Sequence, residues 1–139
     1  FGQGDLFSAP ANPVSEEISG FKDLSNTDHF YQLIDGEMEA KNLCRKLCEQ
    51  KEVCFDTETT SINAVAAELV GIAFSYSKGK AYYINLPPEK EEAKNLLSHL
   101  VPFFEKGDVV KIGQNIKYDV EVLMNYGITV KGELFDKNR

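Results

Sequence analysis

The sequence has no long apolar run. None approaches the roughly 18–20 residues of a membrane span, and the N-terminus lacks a charged-then-apolar signal pattern. A soluble, intracellular chain with no membrane partner is the expectation. Cysteine is scarce and odd in number, with Cys44, Cys48 and Cys54 only, which excludes a disulfide framework. Cys44 and Cys48 stand one helical turn apart on an apolar face and read as reduced packing residues rather than half a metal site. Histidine is scarcer still: His29 and His99 are far apart and neither is read as a ligand. Basic residues are also short, 15 against 22 acids, for a net charge of −7. Residues 1–28 hold Asp5, Glu16, Glu17, Asp23 and Asp28 against Lys22, a net −4 that leaves −3 to the rest. Such a body does not hold nucleic acid by bulk electrostatics. Contacts to DNA would have to be few and local, or bridged by bound cations.

What is present is one domain's worth of core. Of 139 residues, 42% are hydrophobic, enough to bury an interior. Residues 1–27 are rich in Gly, Pro, Ser, Asn and acids without periodicity and read as a flexible acidic linker or tail. The globular domain is expected over 28–139. HFYQLID (29–35) reads as a short strand, and 36–50 as an amphipathic helix with Met38, Ala40, Leu43, Cys44, Leu47 and Cys48 at helical spacing. EVCFDTET (52–59), LVGIAFSYS (69–77) and KAYYINL (80–86) read as strands, the last two joined by a Lys78-Gly79 hairpin. After Pro87 and Pro88, a helix is expected from Glu89 to about Glu105, bent at Pro102. VVKIGQ (109–114) is a strand, Asn115 caps the helix IKYDVEVLMNYG, and ITV (128–130) starts a further short strand. An antiparallel three-strand meander followed by helix-linked parallel strands is an α/β mixed sheet.

The chemistry concentrates in two segments. In VCFDTETTSI (53–62) a core-like strand ends in Asp56 and Glu58, which share a face with Cα atoms roughly 6.6 Å apart. Carboxylates at that spacing repel unless cations sit between them, and hard oxygen donors suit Mg²⁺ or Mn²⁺; a solvated strand end is the plain alternative. In KIGQNIKYDVEVL (111–123), Asn115 and Asp119 are i and i+4, on one helix face, beside an apolar face of Ile116, Val120 and Leu123. Asn115 is either a cap or a ligand-facing group, and Asp119 either a charge complementing the helix dipole or an acid held over the end of the neighbouring strand.

Together, FDTET and GQNIKYDVEVLMNYGI some 55 residues later resemble the first two motifs of the 3′–5′ exonuclease domain of DNA polymerase I. LVGIAFS, the AYYI strand and VKGELFD follow in that family's order, so the resemblance covers about residues 29–136. It implies a bacterial origin, a cytoplasmic, nucleoid-associated setting and a ribonuclease-H-like fold. It also implies two-metal hydrolysis of a 3′-terminal phosphodiester, releasing 5′-mononucleotides as proofreading in replication and repair. Asp56, Glu58 and Asp119 match metal ligands for two divalent ions, Mg or Mn with Zn as a third option. Thr59, Ile62, Asn115 and Tyr118 match residues that contact the substrate, a single-stranded or frayed DNA 3′ end. Ile62 stands where the family carries an aliphatic wedge against the terminal bases, with a loop-anchor role in the core as the alternative.

The family also needs a fourth carboxylate in a Y-x-x-x-D motif far beyond GELFD, then C-terminal helices and a polymerase region. The sequence stops at Arg139, so a truncated domain with very low activity of its own is expected, and the rest of the polymerase chain is the expected partner. The other reading is a non-catalytic DNA-binding scaffold, against which the three retained acids argue; relatives that trim RNA share the same carboxylate logic. In the tail, Gln3, Leu6 and Phe7 resemble the short peptide with which bacterial replication proteins bind the sliding clamp. The alternative for that stretch is a plain linker.

Overall fold

The computed structural model describes residues 30–138. The tail, with Gln3, Leu6 and Phe7, and His29 lie outside the described residues. Strand β1 (Phe30–Ile34) leads into helix α1 (Gly36–Cys48). Ala40, Leu43, Cys44 and Leu47 recur at the helical period and form the buried stripe of α1. Glu37 and Glu39 near its start and Arg45 and Lys46 in its last turn suit the helix dipole. The three cysteines are free, and burial pushes the Cys44 thiol up to about 11 and that of Cys54 upward. These two are protonated packing groups at neutral pH.

Strand β2 (Glu52–Thr59) alternates: Val53, Phe55 and Thr57 are buried, while Cys54, Asp56 and Glu58 on its other face are half-buried. Strand β3 (Leu69–Ser77) has five consecutive buried residues, Gly71–Ser75, because it lies mid-sheet and is covered on both faces. Lys78 and Gly79 turn the chain back into β4 (Lys80–Asn85), with Gly79 at φ 81°, where a side chain would be strained. The expected long helix is broken into three pieces. Helix α2 (Lys90–Leu97) is capped by the Glu89 carboxylate on the Glu92 amide, a 3₁₀ turn covers Ser98–Leu100, and α3 (Val101–Phe104) ends the run. Pro102 has no amide to donate back along the helix, and its ring crowds the preceding turn, so that turn tightens instead of bending.

Strand β5 (Val110–Gly113), helix α4 (Ile116–Met124) and strand β6 (Leu134–Asp136) complete the sequence of elements. The strand expected at 128–130 is absent. Gly127 takes φ 80° and donates to Met124 O, while the Ile128 amide donates to Leu123 O. These bonds close the helix in a Schellman motif, with Ile128 buried against the core. A β-branched run thus serves as a helix stop, and the strand forms only at Leu134.

The six strands lie in the order β1-β4-β3-β2-β5-β6. Pairs β2/β3 and β3/β4 are antiparallel; β1/β4, β2/β5 and β5/β6 are parallel. The meander plus helix-linked parallel strands is therefore present as read from the sequence. Four rings lock the interior: Phe55 meets Phe104 edge-on at 5.4 Å, and Phe74 meets Phe103 edge-on at 6.0 Å. Among the described residues no helix is long and apolar enough to cross a membrane.

Lys111 is fully buried on β5, and burial lowers its pKa. Its ammonium donates to Lys106 O at 2.5 Å and Lys131 O at 2.7 Å, and lies 5.2 Å from the Phe103 ring centre. One side chain thereby joins the loop before β5 to the loop before β6. Lys111→Met keeps the stem but leaves both carbonyls without that donor. Urea unfolding should show a loss on the order of 2–3 kcal/mol; a loss within experimental error would mean that water replaces the ammonium.

Candidate active site

The buried stripe of α4 is Ile116, Asp119, Val122 and Leu123. An acid therefore occupies a position the helical period reserves for an apolar side chain, and Val120, placed on that face from the sequence, is only half-buried. Asp119 is 2% exposed. Its Oδ1 accepts a hydrogen bond from Thr57 Oγ1 at 2.5 Å, and its Oδ2 is buried with no hydrogen-bond partner among the described residues. Gly113, at the end of β5, makes the room: a Cβ there would lie 3.3 Å from Asp119 Oδ2, 3.3 Å from Phe55 O and 3.1 Å from Ile116 Cδ1. Asp119 thus lies in the first turn of α4 but is buried against β2 rather than solvated.

Burial raises the Asp119 pKa to about 7; the Thr57 hydrogen bond opposes this, and the charges of Asp56 and Glu58 add to it. The three acids singled out from the sequence are therefore electrostatic neighbours. Asp56, half-buried on β2, also has its pKa raised by desolvation. The pairing of β2 with β3 slips between Glu58 and Thr59, so the strand twists where its functional side chains begin. Among the described residues, no three His, Cys, Asp or Glu side chains are gathered closely enough to hold a metal ion as they stand. The expected closed cage is an open arrangement, consistent with the mutual repulsion of like charges.

Beside the acids lies an open cleft of about 360 Å³ lined by Thr59, Thr60, Ser61, Ile62, Asn115 and Tyr118. It collects the four residues assigned to substrate from the sequence. Thr59 Oγ1 and the Tyr118 hydroxyl are 2.6 Å apart, and both reach the Ser61 carbonyl. Asn115 occupies the N-cap position of α4 but makes no side-chain cap bond, so its amide is not spent on the helix. Ile62 is 96% exposed, which removes the core-anchor reading. Thr57 and Gly113 were not singled out from the sequence. The signal for Thr57 was there: a polar residue in the core phase of β2, between two acids. Gly113 gave none, because the space it leaves is visible only when α4 is in place. The sequence's Tyr-x-x-x-Asp spacing, Tyr31 to Asp35, lies at β1, with two strands between it and β2, and cannot serve this site.

Residues 31–138 match the sequence model of a family described as 3′–5′ exonuclease. DNA polymerase I of Pseudomonas aeruginosa is 38% identical over 100 residues, covering 66% of this chain and 11% of that protein. The chain spans only 10–14% of the length of the curated DNA polymerase I relatives it matches. Among solved structures, Trypanosoma brucei RNase D in complex with RNA U12 superposes with a TM-score of 0.67 at 14% identity, over 85% of this chain and 41% of that one. Brucella melitensis NrnC with bound Mg²⁺ gives a TM-score of 0.53 at 19% identity, over 77% and 48%. The fold is the ribonuclease-H-like one that these nucleases share.

A buried acid that keeps its proton to about pH 7 makes stability depend on pH. The unfolded carboxyl ionises near pH 4. In the presence of chelator the contribution of Asp119 to stability should be complete below about pH 4 and be lost as the pH climbs to about 7. Asp119→Asn should match the parent protein at pH 4 and exceed it at pH 8 by on the order of 3 kcal/mol in urea unfolding. Equal stability of the two proteins at pH 8 would show that the carboxylate is solvated after all.

Proposed function

The chain belongs to the 3′–5′ exonuclease family carried by DNA polymerase I, and from that premise we propose that it supplies the first two motifs of a site that removes nucleotides from a DNA 3′ end. The observation that carries the reading is the buried Asp119 carboxylate, with one oxygen unpaired among the described residues, next in the chain to Tyr118, which lines the cleft. Asp56, Glu58 and Asp119 are the residues that would hold two divalent cations, whose chemistry is to activate a water and stabilise the departing 3′ oxygen. The donor chemistry suits such ions, being all oxygen, half-buried or buried, with Asp119 Oδ2 lacking a hydrogen-bond partner among the described residues, although the three side chains would have to draw together to hold a cation. The Mg²⁺ in the NrnC structure supports the same choice; Mn²⁺ and Zn²⁺ are the other candidates.

The chain's own side chains do the rest. Tyr118, fixed by Thr59 and the Ser61 carbonyl, and the uncommitted Asn115 amide hold the strand in the cleft. Ile62 stands free to take the place of a stacked base against the terminal nucleotide. With cations bound, the acidic site attracts phosphate rather than repelling it, which reconciles a net charge of −7 with a nucleic-acid substrate. The product is a 5′-mononucleotide, and removal of a mispaired end is the biological use.

Among the described residues no fourth carboxylate joins Asp56, Glu58 and Asp119, so the 139-residue chain on its own should trim very slowly or not at all. Calorimetric titration with Mn²⁺ at pH 8 should show binding to the parent chain that is lost in Asp119→Asn. A primer with a mismatched 3′ end should be shortened weakly with Mg²⁺, not at all with chelator, and not by Asp56→Asn. Equal trimming by the parent chain and Asp56→Asn would overturn the assignment.

A further inference from the structure

The structure assigns Asn125 and Tyr126, at the far end of α4, as positioning residues that hold the 60–68 loop so that Ile62 and Val65, both presented to solvent, meet the unpaired end of a DNA strand. The inference rests on the proposed nuclease reading and extends it to residues outside the acids and the cleft.

The Asn125 side-chain amide donates to the Ala64 carbonyl at 2.8 Å. The Tyr126 hydroxyl accepts from the Leu69 amide at 2.9 Å, where the loop becomes β3. Both bonds cross more than fifty residues of sequence, and both end on backbone, so they fix the path of the loop and not one of its side chains. Ala64 and Ala67 are buried in the core cluster that also contains Val122, Leu123 and Tyr126. Inside the loop, Ser61 Oγ accepts from the Asn63 amide and Asn63 Oδ1 from the Val65 amide, each at 3.0 Å. Lys90 lies 5.0 Å from the centre of the Tyr126 ring, covering the tyrosine from the α2 side.

A loop tied down this firmly nevertheless presents two β-branched side chains to water: Ile62 is 96% exposed and Val65 86%. Ile62 also lines the cleft. An apolar side chain on a tethered loop suits an unstacked base, because contact with a held aliphatic surface replaces stacking at little entropic cost. The same helix carries Asn115, Tyr118 and Asp119 at its first turns and the loop anchors at its last. One rigid rod therefore sets the spacing between the acids and the loop that carries Ile62 and Val65.

The test uses the 139-residue chain with Asn125→Ala, Tyr126→Phe and Val65→Ser. The probe is a 5′-fluorescein hexathymidylate read by anisotropy, with Ca²⁺ as the cation. Amide exchange of residues 63–68 and the melting temperature are followed in parallel. Asn125→Ala and Tyr126→Phe should speed exchange in the loop at least fivefold and weaken oligonucleotide binding about fivefold. Their melting temperatures should stay within a few degrees of the parent. Val65→Ser should weaken binding similarly with exchange unchanged, since that side chain has no role in the fold. Unchanged loop exchange in both anchor variants overturns the tether, whatever the DNA result. Faster exchange with parent-like binding, or parent-like binding by Val65→Ser, overturns the positioning role. If the parent chain fails to bind the oligonucleotide with Ca²⁺ or Mn²⁺, the nuclease reading and the DNA half of this inference fall together, while the exchange data still judge the tether.

Discussion

Placing a carboxylate in the interior is the constraint that the neighbourhood of the site is built around. An ionised acid with one oxygen unpaired costs several kcal/mol to bury, and it has to be tolerated by the elements that surround it. Among the described residues, Thr57 supplies the one side-chain hydrogen bond that Asp119 receives, and it can do so because the alternation of β2 turns it inward while Asp56 and Glu58 turn the other way. Gly113 leaves open the space between the Asp119 carboxylate and the Phe55 carbonyl that a Cβ would crowd. The parallel pairing of β2 with β5 brings those two strand ends side by side. Behind them the four phenylalanines and the buried stripes of α1 and α4 provide the apolar burial that offsets the cost.

Much of this could be read from the sequence, for identifiable reasons. The strands of the meander were legible because their β-branched and aromatic runs were bounded by Gly79, Pro87 and a charged turn. α1 was legible because its apolar positions keep the helical period. The segment at 128–130 misled because local propensity favours a strand, while Gly127 in the left-handed region commits Ile128 to closing a helix. The interruption at Ser98–Leu100 followed from Pro102, but whether a proline bends a helix or tightens the turn before it depends on packing that no local pattern records.

The site divides along the same line. Asp56, Glu58 and Asp119 carried a recognisable spacing, and the cleft residues were legible as part of the same motifs. What could not be read was the environment that gives them their properties. The depth of Asp119 emerges only when α4 lies on the sheet. So does the exposure of Ile62, which could equally have been a packed residue. The contribution of Thr57 and Gly113 is of this kind too, one a hydroxyl and the other an absence of side chain. An acid at a core position of a helix was the strongest unused clue, since periodicity alone marked it as anomalous.

The sheet order has a further consequence, for biosynthesis. The partner of β1 is β4, about 50 residues downstream in the register Phe30↔Lys80. A chain emerging from the ribosome therefore exposes its earliest described strand well before the edge it will occupy exists, whereas β2, β3 and β4 can zip as each appears. Nascent chains halted just after Ser77 would hold the apolar stripe of α1 and the β1 strand without their neighbours, a stage at which chaperones or aggregation compete for them.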